Sequence, residues 1–168
     1  NLIDLVATIA RHPDLDTPFC SQCISLLLEF ASSPAGRSLI RKTDAFQSTM
    51  VAIGFEYLLD IDYTKEWAAD PNYISQDEED WARFYLGAYL IKQLPQALGT
   101  KTFLTPLLQE VIKRAQMGSQ WKQQHAALTV LIAVCEEHLK AIPKAAITTI
   151  QAMLASMMDK KFAQSANP

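Results

Sequence analysis

Two neighbouring stretches of this chain repeat one design forty residues apart. Asp80-Trp81 opens the first and Gln120-Trp121 opens the second. A near-continuous apolar run follows each opening: Phe84 to Ile91 in one, Ala126 to Cys135 in the other, the latter broken by Thr129. A one-sided apolar segment comes next: Leu104, Leu107, Leu108, Val111 and Ile112 in the first unit, Ile147, Ile150, Leu154 and Met157 in the second. A step of about forty residues built from two helices is the pattern of a stacked helical repeat, whose units bury their apolar faces only against one another. Such an array presents surface and rarely carries chemistry.

The 168 residues make about one domain with room for a substantial core. Because 49% of them are apolar, the chain is not a disordered segment. No apolar stretch approaches the ~20 residues needed to cross a bilayer, so membrane insertion is not expected. Asn1-Leu2-Ile3-Asp4 offers no basic region and no small-residue cleavage site of a secretory signal. The apolar pattern already running there (Leu2, Ile3, Leu5, Val6, Ile9) suggests a piece of a longer repeat protein. Three cysteines, an odd number, argue against a disulfide framework and for a reducing compartment.

Charge is segregated. Between Glu56 and Asp80 lie nine acidic residues and one base, Lys65, a balance of −8; the rest carries nine acids and fourteen bases, a balance of +5, and the whole chain −3. Direct nucleic-acid binding would call for a basic stripe, so the acidic segment points to a cationic protein partner instead.

Periodicity reads as helix throughout, with no period-2 run that would make a strand. A first helix over about 1–11 stops before Pro13, since a residue preceding proline is pushed out of the helical region. Asp16 or Thr17 caps the next helix, with Pro18 in its first turn; Ile24, Leu27, Leu28 and Ala31 face inward, and it ends near Pro34. A turn through Gly36 and Arg41 leads to Asp44, the cap of a helix carrying Phe46, Met50, Ile53 and Tyr57 on one stripe. Residues 60–79 hold Pro71, Asn72 and many acids without helical period, a length at which connections tend to be functional or disordered. Helices are then expected over 80–97, 101–117, 120–140 and 143–160, with Gly99 and Gly118 as C-terminal caps and Pro143 in a first turn.

The paired helices differ. The first of each pair is apolar nearly all round, as for an element sandwiched between neighbours. The second has a wet face: Thr105, Gln109, Lys113 and Gln116 in one, Thr148, Gln151, Ala155 and Asp159 in the other. These wet faces are expected to line one exposed surface, with Gln109, Lys113, Gln116 and Gln151 as inner-face contacts for a partner. Gly87 and Ala127 are small enough for close helix approach.

Candidate chemistry is sparse. Cys20-Ser21-Gln22-Cys23 matches C-x-x-C, but a redox or zinc role needs a βαβ context or a second ligand pair, and His12, His125, His138 and Cys135 fit no ligand spacing. Cys23 reads as a small core residue. His125, on the stripe Trp121, His125, Leu128, Ile132, Cys135, reads as a partly buried, hydrogen-bonded histidine. Glu136-Glu137-His138 reads as a solvated helix end without cleft or nucleophile. No phosphate loop, nucleophile elbow or metal-binding helix motif is present. No catalytic, cofactor-binding or metal residue is therefore assigned, and no enzymatic activity or cofactor is expected. Trp67 and Trp81 flank the acidic run. They either pin a surface loop, or join its carboxylates in a site for lysine- or arginine-rich ligands through charge pairing and cation–π contact. That candidate site comprises Asp62, Glu66, Trp67, Asp70, Asp77, Glu78, Glu79, Asp80 and Trp81.

From Leu98 to Val134 the chain reads LGTKTFLTPLLQEVIKRAQMGSQWKQQHAALTVLIAV. This resembles the importin-β (karyopherin-β) family, nearest its importin-β3, Ran-binding-protein-5-like branch. The resemblance is carried by Leu98-Gly99, Lys101, Pro106-Leu107, Trp121-Lys122 and His125-Ala126-Ala127-Leu128, and extends over about 17–160. The family places an acidic loop with Trp-Ala inside a central HEAT repeat, and Glu66-Trp67-Ala68 with Asp77-Glu78-Glu79-Asp80-Trp81 match it in kind and place. Ser119-Gln120 departs from it where an aspartate is common, and the aspartate–arginine ladder of such repeats is poor.

The resemblance implies an all-α fold, an α-α superhelix or HEAT-repeat solenoid of about seven main helices. Its parts are a leftover helix (1–12), a repeat (17–60), the acidic loop (61–79) and two further repeats (80–117 and 119–160). It implies a slice of a nuclear import receptor that shuttles between cytoplasm and nucleus through the nuclear envelope. Basic cargo or nuclear-localisation signals, Ran-GTP and, for the full receptor, nucleoporins are the partners it implies. The alternative is a HEAT-repeat scaffold of a multiprotein complex, such as a phosphatase scaffold. Internal repeats pack on both sides, so the ends of such a slice are expected to self-associate.

Overall fold

The computed structural model describes residues 2–40, 44–61, 78–117 and 120–165, and every regular element among them is helical. The protein is all-α, its helices packed in antiparallel pairs. It divides into two compact units, Asn1–Gly99 and Thr100–Pro168.

The first unit begins with α1 (Leu2–Ala10), which buries Val6, Ala7 and Ala10. The Asp16 carboxylate accepts the Phe19 N–H at 2.8 Å and so caps α2 (Thr17–Ser32), with Pro18 in the first turn where a missing N–H costs nothing. Ile24, Leu27, Leu28 and Ala31 are buried as their spacing predicts.

The turn expected at 36–41 is instead a short helix, α3 (Pro34–Ile40). Ser33 leaves α2 in an extended conformation, and its Oγ accepts the Gly36 N–H at 3.0 Å while Pro34 supplies a helical φ. Helix α4 (Asp44–Leu58) buries Phe46, Met50, Ile53 and Tyr57, the stripe read from the sequence.

Helix α5 (Glu78–Leu98) packs on α4 and α2, while α1 packs on α2 and α4. The α4–α5 crossing is glycine to glycine. A Cβ on Gly87 would fall 2.8 Å from the Gly54 carbonyl oxygen and 2.8 Å from Tyr57 Cβ, so this spacing needs both residues bare. Residues 61–79 were expected to separate two repeats; the helices on either side of them form one tight pair. Gly99 closes α5 in the left-handed region (φ 97°), its N–H on the Pro95 carbonyl at 3.0 Å.

In the second unit, α6 (Thr100–Ala115) packs on α7 (Trp121–His138) and on α8 (Lys144–Ser165); a 3₁₀ turn, Leu139–Ala141, links the last two. Phe103, Leu104, Leu107, Leu108 and Val111 of α6 meet a core that includes Ala126, Ala127, Val130, Leu131 and Val134 of α7. The expectation that α5 and α7 are covered all round is corrected: Tyr85, Tyr89 and Ile132 are exposed. Each helix buries one broad face, and apolar residues on its far side stay in water. Among the described residues no helix is long and apolar enough to cross a membrane.

Candidate functional site

The best-defined polar construction of the first unit lies between the end of α4 and the first turns of α5. Arg83, early in α5, places Nη2 within 3.1 Å of the His12 carbonyl, 2.9 Å of Pro13 and 2.8 Å of Leu15. These carbonyls follow the C-terminal end of α1, where backbone acceptors lack helical partners and a cation is favoured. Arg83 Nε lies 3.8 Å from the Asp60 carboxylate just past α4, and its guanidinium carbon 5.6 Å from the Tyr57 ring centre. The Arg83 side chain is only 18% exposed, so its charge is shared among partners rather than solvated.

Tyr57 extends the network. Its hydroxyl donates to the Ala10 carbonyl, and burial, followed by its hydrogen bond with Cys20, pushes the phenol well above its ordinary range. One side chain thus joins α1, α2 and α4. Beside it Arg11 forms a two-pronged pair with Glu56, its Nε donating to Oε2 at 2.8 Å. Both partners are more than 40% exposed, so water screening holds this pair to about 0–1 kcal/mol. Arg11, Glu56, Tyr57, Asp60 and Arg83 line an open polar recess of about 230 Å³.

Of the candidate acidic site, Asp62, Glu66, Trp67, Asp70 and Asp77 lie outside the described residues. Glu78, Glu79, Asp80 and Trp81 form the first turn of α5. Glu56 and Asp60, at the start of the acidic segment, are paired at the surface with Arg11 and Arg83. The sequence reading missed both arginines, since nothing near either one in the chain marks it.

The wet face of α6 is exposed at Thr105, Gln109, Lys113 and Gln116, and that of α8 at Thr148, Gln151 and Ala155. Lys113 Nζ reaches Glu110 at 3.4 Å, and Arg114 joins Glu110 (2.8 Å) to Gln123 of α7 (2.5 Å). Cys20 is fully buried, and burial followed by the neighbouring Cys20 raises the Cys23 thiol. A protonated thiol is a poor nucleophile and metal ligand. His125 is half-buried, edge-on to Trp121 with ring centres 6.4 Å apart, and burial lowers its pKa. Among the described residues no cluster of His, Cys, Asp and Glu has a metal-holding arrangement. Compared with protein-family models, with curated proteins and with solved structures, the chain matches none.

Proposed function

We propose that this chain is a non-enzymatic segment of a nuclear transport receptor of the importin-β kind, engaging basic partner proteins through its acidic segment. The charge segregation carries the reading. Within 56–80, Arg11 and Arg83 account for Glu56 and Asp60, and seven further acids stand against Lys65. Like charges so concentrated repel unless something offsets them, and a lysine-rich ligand is the natural offset. The solenoid architecture belongs to the same proposal. Its support is that the hairpins α1–α2 and α4–α5 lie with α1 on α4 and α2 on α5, the arrangement of successive units in a stacked array.

The test is a titration with a lysine-rich nuclear-localisation peptide at low and raised salt. Affinity should fall with salt and disappear when Asp77, Glu78, Glu79 and Asp80 are changed to lysine. Binding indifferent to both would remove the electrostatic claim. The second reading, a repeat scaffold docking a folded protein, draws on the exposed faces of Gln109, Lys113, Gln116 and Gln151. Retention of GTP-locked Ran in a pull-down favours the receptor; capture by the α6 and α8 faces without Ran favours the scaffold.

A further inference from the structure

Helix α7 carries a row of side chains that its packing on α6 does not use. Trp121, His125, Leu128, Ile132 and Cys135 follow one another at spacings of four, three, four and three. That is the heptad step of a seam facing another helix. At about 100° per residue the five stand within about 40° of one line along the helix. The buried Ala126, Val130 and Val134 occupy the opposite side. Trp121 is 39% exposed and Ile132 59%, and Leu139, just past the helix, is also 59% exposed. His125, Leu128 and Cys135 are partly covered. Scattered exposed apolar residues are ordinary; a row in heptad register is not scatter.

Shape, spacing and charge select the occupant. A small molecule needs a concavity, and the outer face of a helix is convex. A second helix can interlock with such a row. The row is also its own complement, because its spacings read the same from either end. A second copy laid antiparallel sets Leu128 against Ile132 and His125 against Cys135, each contact made twice about a two-fold axis. Trp121 then reaches the end of the other helix, where Leu139 stands. In this register Lys122 of each copy comes beside Glu136 of the other, so two ion pairs flank the seam on one edge. Glu136 is exposed, and Lys122 lies with its Nζ 5.9 Å from the Trp121 ring centre, at the margin of the row. Parallel copies would hold Lys122 and Glu136 about 21 Å apart along the axis, and the charges would have no such match.

We propose that α7 pairs antiparallel with α7 of a second copy through this row. At 18 residues the helix is about 27 Å long. The contact therefore belongs to the small class of interfaces, below about 1,200 Å², and the dimer is weak, with a Kd on the order of 10–100 µM. The proposal uses no residue of 56–80 and does not rest on the transport-receptor reading.

Sedimentation equilibrium of the whole, reduced chain should show monomer–dimer exchange in that range. Ile132→Glu puts a carboxylate into the seam and should weaken the dimer at least about tenfold. Its urea midpoint should stay put, since Ile132 is exposed in the single chain. Lys122→Glu and Glu136→Lys should each weaken association at least about threefold at low salt, and combining them should restore it. Direction is read by oxidation with diamide in a Cys23→Ser background. That chain should form no covalent dimer, whereas adding His125→Cys should give one whose peptide map joins position 125 to Cys135. The proposal is overturned by a monomer up to about 1 mM, or by Ile132→Glu associating like the parent chain. A double charge exchange no better than the single changes overturns it too, as does a Cys135–Cys135 link, which would make the pairing parallel.

Discussion

Arg83 makes its contacts with backbone that lies about seventy positions earlier in the chain, and that distance explains both its importance and its invisibility. Hydrogen bonds to charged groups contribute about 1.5–3 kcal/mol each, and partners left behind in a half-buried site lose their solvation as well. Arg83→Ala should therefore lower the stability of the first unit by about 2–4 kcal/mol, read as a drop in urea midpoint. Arg83→Lys should restore less than half, because an ammonium cannot span three carbonyls and a carboxylate as a planar fork does. An unmoved midpoint for the alanine variant would show the network to be decoration. Sequence reading had no means to find it: the acceptors are carbonyls, which every residue possesses. Asp16 was legible because a cap binds its own neighbours; of the two neighbouring thiols, the one read as core, Cys23, is only partly covered, and Cys20 is the one the helix contact buries.

Helices obeyed their stripes, and what escaped was which neighbour covers each stripe. The apolar faces of α2, α4, α6 and α7 were readable from residue spacing, as was the close approach at Gly87. Helix α3 was not, since seven residues give too little period to register and its start depends on the Ser33 hydroxyl. The glycine pair offers a sharper check on the α4–α5 crossing. Alanine favours helix over glycine by up to about 1 kcal/mol, yet a methyl on Gly87 meets backbone on α4, and overpacking costs about 1–3 kcal/mol. Gly87→Ala should thus destabilise on balance in thermal unfolding. Gly54→Ala, whose new methyl meets Ile91 Cδ1 at 2.6 Å, strikes a side chain instead, so shortening that side chain by Ile91→Val should partly rescue it. Rescue of Gly87→Ala by the same change would mean the crossing is not built as described.

Over the molecule as a whole, the all-helical class was plain from the sequence, while the division at Gly99 was not. A forty-residue period announces recurring hairpins but leaves open which helix begins each one. The two units also give acid a specific target. Burial lowers the His125 pKa, so the unfolded chain, with its histidine near pH 6.5, binds a proton that the folded unit resists. The stabilisation is complete above about pH 6.5 and drains away as pH falls toward the lowered folded value. Denaturation of Thr100–Pro168, followed by Trp121 emission with Trp67 and Trp81 changed to phenylalanine, should move to lower urea between pH 7 and pH 5.5. His125→Phe should flatten that dependence, and an equal slope in both proteins would assign the proton elsewhere.

The salt contact between Asp60 and Arg83 brings the residue just past α4 and one early in α5 to nearly one point. Whatever is written between those two residues is, to the rest of the molecule, a closed ring whose closure is already provided for. Doubling such a ring costs only about 0.6 kcal/mol, so selection can lengthen it, recharge it or rewrite its letters while the supporting helices keep their register.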